Sequence, residues 1–398
     1  MKESGIEWVG LIPDTWSVIP NKYVMHKEKN LCKKWTGEEV MSLTMNGVIV
    51  RDLQNPTGKM PATFDGYQYI EDGDLLMCLF DIDVTPRCVG KVTYDGVTSP
   101  AYSNFKVHDN ASRDYFYYYY LMVDNTKELL HLAKNLRHSF TEEQLGQLKV
   151  PMPPLSEQKV IADYLDETCS KIDEIIAEAK ISIDEYKELK IGQINKYTIH
   201  KMKRTKLKYI TEKIGDGIHA TPEYSDEGTI RFINGGSFGE DSIKMIGPML
   251  SNEEYQKQNK SLLNEHTVMI ALNGANFGNT SLYNNEAILL GKSAGYITLK
   301  STVCREYVRY CLENSVTKEA FDLSLNGTTI PNLSLNTLRN TEICLPDYSV
   351  QKQLARTIKK MIIKMDSLIA EKESLINDLE AYKKSLIYEV VTGKRRVV

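Results

Sequence analysis

VPMPPLSEQKVIADYLDETCSKIDEIIAEAKISIDEYKELKIGQINKYTIHK, Val150 to Lys201, decides the architecture. It returns without a gap, 193 residues further on, as ICLPDYSVQKQLARTIKKMIIKMDSLIAEKESLINDLEAYKKSLIYEVVTGK, Ile343 to Lys394. Pro153, Ser156, Gln158, Lys159, Ala162, Asp173, Ile176, Ala177, Glu178, Ile183, Lys190, Ile194 and Lys201 recur as Pro346, Ser349, Gln351, Lys352, Ala355, Asp366, Ile369, Ala370, Glu371, Ile376, Lys383, Ile387 and Lys394. Charged helices share composition, but composition does not set a proline just before both copies, so the two segments read as a true internal repeat.

Each copy predicts a long helix with a defined start. Prolines stop whatever precedes it, and Ser156 or Ser349 can cap the first turn. In the first copy Cys169, Ile172, Ile176, Ala179, Ile183 and Tyr186 recur at spacings of three and four, and Leu189, Ile194 and Tyr197 continue the stripe less regularly. The second carries Ile362, Met365, Ile369, Ile376, Leu379, Tyr382, Leu386 and Val390, interrupted by Lys372. Each helix would extend roughly 60 Å. A single apolar stripe that long needs a partner helix, and the economical partner is the other copy. An antiparallel pair would set the regions preceding each helix at opposite ends of a rod; the alternative is that each helix folds back on its own domain.

The regions between are mixed α/β. Gly73 to Phe80 reads as a turn into a buried strand, Val89 to Val97 as a strand closed by an Asp-Gly turn, and Thr267 to Leu272 and Gly295 to Leu299 as their counterparts. Helices are expected at Thr126 to Arg137 and Cys304 to Glu313, with Tyr117 to Tyr120 as core and strand packing. Lys22-Tyr23-Val24 is echoed by Lys208-Tyr209-Ile210, and Lys134 to Thr141 stands where the second half has Gly327 to Ser334. The expected fold is therefore an α/β chain of two mixed α/β domains, 1–154 and 201–347, separated by two long antiparallel spacer helices, 155–200 and 348–398, the latter with a short tail.

With 398 residues, 42% hydrophobic and 26% charged, the chain can bury two or three modest cores. No apolar run approaches a membrane span, and Met1 to Trp8 lacks the apolar core of a signal peptide, so the expected location is cytoplasmic. A net charge of −4 argues against a protein that coats nucleic acid by charge alone, yet leaves room for a specific reader. Cys32, Cys78, Cys88, Cys169, Cys304, Cys311 and Cys344 lack the paired spacing of a zinc cluster, and no disulfide framework is expected.

These features resemble the specificity subunit of type I restriction-modification systems, across essentially the whole chain. The phrases that carry the likeness are Gly5-Ile6-Glu7-Trp8-Val9-Gly10-Leu11-Ile12-Pro13-Asp14-Thr15-Trp16, the spacer opening Pro151-Met152-Pro153-Pro154-Leu155-Ser156-Glu157-Gln158, its weaker copy Leu345 to Gln351, and the closing Leu386 to Lys394. Asp216 to Pro222 and the Asn326 to Thr329 loop add to it. Val350 stands where the family has an acidic residue, and Asp347-Tyr348 replaces the double proline, so the second spacer is the less typical.

The resemblance implies two target-recognition domains, each reading half of a split double-stranded DNA site, with the spacers setting the unread gap. It implies two methyltransferase subunits, which would bind S-adenosylmethionine, packed on the spacers at positions such as Gln158, Ile161, Gln351 and Leu354. Motor-nuclease subunits would join them, and the chain itself would need no cofactor or metal. Candidate DNA contacts in the first domain are Arg87, Lys91, Tyr102, Ser103 and Asn104. In the second they are Lys203, Arg204 and Lys206 from a basic run, Asp216, Gly217, His219, Thr221 and Thr328 from the family-like loops, and Asn273, Asn276 and Asn279, whose amides suit adenine. Either set can equally be a solvated helix end or plain turns.

Catalysis by this chain is not expected. Met152-Pro153-Pro154-Leu155 lacks the polar residue of an adenine-methylating Asn/Asp-Pro-Pro-aromatic loop, Asn55-Pro56-Thr57-Gly58-Lys59 lacks the second proline, and Gly393-Lys394 is followed by Arg395 rather than Ser or Thr. The seven histidines form no zinc-hydrolase pair. A dispersed Asp/Glu/Lys nuclease constellation is too weak a pattern to decide from sequence. The competing class is a coiled-coil adaptor whose domains bind peptides or proteins.

Overall fold

The computed structural model describes residues 1–397 apart from 57, 59, 134–138, 200–203, 240–241, 275 and 326–331. The chain divides into two units, Met1–Ala179 with Ser374–Val398, and Lys180–Glu373. The two long helices, Leu155–Thr198 and Tyr348–Val391, run through both. Each has 44 residues, about 66 Å at 1.5 Å per residue.

In the first unit, an antiparallel sheet has the strand order Met25–Glu28, Ser103–Val107, Leu75–Met77, Val89–Lys91. A second sheet orders Gly47–Val50, Val40–Thr44, Gly96–Thr98 and Gln68–Ile70, with one parallel pair that sets Val97 opposite Val40. The Asp95-Gly96 turn thus separates strands of two different sheets, where a single strand was expected. Helix Arg113–Asn125 packs on the first sheet at Val89–Lys91, its Ser112 Oγ accepting from the Tyr115 N–H. The tyrosine run expected as strand lies within this helix. Tyr115, Phe116 and Tyr119 are buried and pack edge to face, so tertiary burial outweighs the β preference of aromatics. The helix expected over Thr126 to Arg137 begins earlier and is over by Thr126; Glu128–Leu132 is a separate short helix, and residues 134–137 lie outside the described set.

The second unit repeats the plan. Its antiparallel sheet runs Thr211–Asp216, Ala294–Leu299, Thr267–Ala271, Thr280–Leu282, the same order as in the first unit. Ile230–Ile233 pairs in parallel with Ile288–Leu290, as Val40–Thr44 does with Gly96–Thr98. Helix Arg305–Glu313 matches expectation, with Cys304 at its cap. Equivalence extends to single bonds: the Phe140 N–H donates to Leu79 C=O at 2.7 Å, and Leu333 to Leu272 at 2.7 Å, each residue 193 positions from its counterpart. Before each long helix stands a six-residue helix, Glu142–Gln147 capped by Thr141 and Leu335–Asn340 capped by Ser334.

The long helices pack on each other inside each unit. In the first, Lys383 Nζ lies 2.6 Å from Asp173 Oδ2; in the second, Lys190 Nζ lies 2.8 Å from Asp366 Oδ1. These are the same pair with the copies exchanged, since Asp173 repeats as Asp366 and Lys190 as Lys383. The direction is antiparallel: in the first unit the last turn, at Val391, meets Tyr115 Oη while Gln158 near the first helix's start bonds Ser112. In the second, Ile194 shares a core with Ile358 and Ile362. The expected seam residues Cys169, Ile172, Ile176, Ala179 and Ile183 are buried, whereas Leu189 and Tyr382 are exposed. Both members of the first pair are partly exposed, so a double-mutant cycle through Asp173→Asn and Lys383→Met should give a coupling of about 0.5–1 kcal/mol; a value above about 2 would contradict this picture.

All seven cysteines are free and buried. Among the described residues no helix is long and apolar enough to cross a membrane, and no group of three His, Cys, Asp or Glu side chains could hold a metal ion.

Candidate DNA interface

Two repeated devices hold each domain to its helix. Gln158, fully buried, accepts from the Ser112 N–H at 2.7 Å and donates through Nε2 to Pro153 C=O at 2.8 Å. Gln351 does the same for the Cys304 N–H at 2.9 Å and Pro346 C=O at 2.7 Å. Ser112 and Cys304 are the cap residues of equivalent helices. The glutamine therefore satisfies the cap residue's N–H and the proline's C=O together. Beside it, the strand Lys149–Met152 pairs with Ser17–Pro20, and Glu342–Cys344 with Arg204–Lys206. Gln158, Ile161, Gln351 and Leu354 are the residues expected to face partner subunits. Gln158, Ile161 and Gln351 are buried and satisfied internally, and Leu354 packs half-buried on the second unit's core. Arg204 and Lys206 of the basic run belong to this junction, while Lys203 lies outside the described residues.

The loops of each domain gather where the two sheets adjoin. In the first unit, Leu43, Thr44, Cys78, Phe80, Thr85, Pro86, Arg87 and Tyr102 line a cleft of about 240 Å³. Asp81, at φ 47°, turns the chain into it, as Gly274 does in the second unit at φ 80°. Burial holds the Tyr102 phenol protonated by raising its pKa and pushes the Cys88 thiol up to about 12. Arg87 is mostly covered, its Nε 3.8 Å from the buried carboxylate of Asp124. Lys91 lies 2.9 Å from Asp114 and 3.8 Å from Asp166 on the long helix. Ser103 and Asn104 are buried, Asn104 donating to Asp74 at 2.6 Å, because they sit on an inner strand that is covered on both faces at that end.

In the second unit, the segments carrying Asp216 to Thr221, Asn234 to Ser237, Asn273 to Asn279 and Gly291 to Ser293 are joined by hydrogen bonds. Gly217 and Ile218 donate to Ala294 and Leu290, Asn276 Nδ2 donates to Gly236 C=O at 2.9 Å, and Gly235 N–H donates to Ser293 Oγ at 2.9 Å. Gly217 is buried, and any Cβ there would sit 2.1 Å from Leu290 O, so its part is close packing rather than contact. His219 is exposed and shares a 2.8 Å bond with Asp216; Thr221 is exposed. Asn276 is a brace, Asn273 bridges to Asn332, and Asn279 faces a cleft of about 400 Å³ beside the long helices. Thr328 lies outside the described residues. Sequence reading did not single out Asn234, Lys292 and Ser293, although Asn234-Gly235-Gly236 and Gly291-Lys292-Ser293 each follow directly on a strand with glycine and polar residues.

Tandem mixed domains, each locked by a buried glutamine to one antiparallel helix pair and each presenting a polar loop cluster, define a duplicated recognition scaffold. Residues 73–185 and 190–378 match the type I restriction modification DNA specificity domain, and the chain belongs to that family. It is 25% identical over 273 residues to the type I restriction enzyme MjaVIII specificity subunit of Methanocaldococcus jannaschii, covering 63% of both chains, slightly under two thirds of that relative's length. It is also 25% identical over 308 residues to the putative MjaX specificity subunit of the same organism, covering 72% of this chain and 69% of that one.

Two solved structures share the fold. One, from work on complex assembly and conformational transition of the type I R-M system, has TM-score 0.77 at 13% identity over 97% of this chain and 100% of that one. The other, the HsdS subunit from Thermoanaerobacter tengcongensis, has TM-score 0.60 at 15% identity over 99% and 100%.

Proposed function

We propose that this chain reads a split double-stranded DNA sequence and carries no catalytic centre of its own. In this reading residues 1–154 and 201–347 are the two readers, the helical segments 155–200 and 348–398 form the spacer, and the chain works in the cytoplasm on chromosomal DNA. Two methyltransferase subunits, with S-adenosylmethionine, methylate adenine beside the bound site, and motor-nuclease subunits join the same complex. The observation that carries it is the duplication: two domains of one topology, each with a polar loop cluster, attached in the same way to a shared helix pair. A helix of about 66 Å exceeds the 34–36 Å turn of B-DNA, long enough for two separated major-groove contacts.

The decisive experiment purifies the chain with its modification subunits from the host and maps methylated adenines in genomic DNA. A single bipartite motif is expected; methylation without any shared motif, or no retention of a specific duplex against excess random DNA, sinks the reading. Inserting one whole helical turn at matched positions of both long helices should shift the permitted spacing between half-sites while leaving each half-site unchanged. A duplex series varied only in spacer length would reveal an unmoved optimum if the helices do not set the gap.

A further inference from the structure

The geometry points to Asn234 as a pre-oriented amide that reads an adenine edge in the half-site of the second unit, with Lys292 beside it on phosphate; this rests on the DNA-reading function proposed above. Asn234 occupies the cap position of the short turn Gly235–Ser237, where asparagine ordinarily turns back to bond the backbone, yet its side chain makes no capping bond. Its Oδ1 instead accepts from Ser293 Oγ at 3.1 Å, and that hydroxyl oxygen accepts from the Gly235 N–H at 2.9 Å. With Oγ accepting from the backbone, its own O–H is left to donate to the amide oxygen, which turns that end of the side chain toward Ser293. Oδ1 keeps one lone pair, and Nδ2 donates to nothing among the described residues.

An exposed asparagine held in one orientation presents the acceptor and donor that match adenine N6–H and N7. Holding it beforehand spares the entropy a free side chain would lose on binding. The room for it comes from Gly291, whose backbone needs no glycine: a Cβ there would lie 2.3 Å from Asn234 Oδ1. Lys292, the next residue, is exposed and has no carboxylate partner among the described residues. Asn276, a candidate on composition alone, commits one of its two amide N–H groups to Gly236 and so braces this rim.

The test is selection by the whole chain, in complex with its modification subunits, from duplexes randomised at both half-sites. Asn234→Ala, Ser293→Ala and Gly291→Ala should each relax one A·T position of one half-site, lowering its preference roughly tenfold to a hundredfold, with the other half-site kept as an internal control of folding. Lys292→Ala should weaken all duplexes alike and reduce the slope of log affinity against log salt by about one. Unchanged preferences in Asn234→Ala, relaxation at a position that is not A·T, or equal loss at both half-sites each overturns the assignment. Failure of the unsubstituted complex to select any sequence overturns the functional reading itself.

Discussion

Replacing Gln158 by leucine is expected to lower the thermal transition of the first unit by roughly 5 to 15 °C. The substitution keeps the side chain's bulk and a good helix former, so the loss falls on two hydrogen bonds. It leaves the Ser112 N–H and the Pro153 C=O buried without partners, and unsatisfied buried groups cost about 1–3 kcal/mol each. Some relaxation toward water reduces the total to about 2–4 kcal/mol, and each kcal/mol moves the midpoint of a unit this size by about 2–4 °C. Gln351→Leu should act equally on the second unit, because it makes the same pair of bonds. Calorimetry of both variants checks this; a shift under about 1 °C would mean that the glutamines do not hold the domains to the helices.

Gly393→Ala should destabilise the first unit by about 2–4 kcal/mol. Gly393 ends the second long helix in the left-handed region, at φ 70°, with its N–H on Val390 C=O and those of Lys394 and Arg395 on Glu389 C=O. An alanine there strains the backbone by about 1 kcal/mol. Its methyl would also sit 2.4 Å from Pro13 Cδ and 3.0 Å from the buried Trp16 ring, an overpacking that adds about 1–3 kcal/mol. Lys394 Nζ, which donates to Val9 C=O from the next position, would be displaced as well. Denaturant unfolding gives the direct measure, with the midpoint falling at constant slope; an unaltered midpoint would show that the closing phrase does not brace the Pro13 to Trp16 segment.

The helix pair was legible in the sequence because a gapless repeat constrains geometry: Asp173 and Lys190 recur, so whatever one copy does to the other must be done in return. The loops were harder to read, since a side chain's polarity does not reveal which way it points. Ser103 and Asn104 resemble a reading loop by composition, yet they lie on an inner strand covered on both faces, and Asn104 meets a carboxylate that lies far from it in sequence, Asp74. Lys91 pairs with Asp166 across the fold, another contact that no local pattern encodes. The tyrosine run carried strand propensity and became a helix because nearly every side of it is covered. Asn234 and Asn276 are both asparagines in glycine-containing loops, and composition does not show that one side chain bonds Ser293 and the other Gly236.

The burial of every thiol gives the molecule an internal reporter. Cys32, Cys78, Cys88 and Cys169 lie in the first unit and Cys304, Cys311 and Cys344 in the second, and none is reachable by an alkylating reagent while its surroundings stay closed. Pulse alkylation followed by peptide mass analysis would therefore time the opening of each half separately, and would show whether the halves loosen together or one at a time.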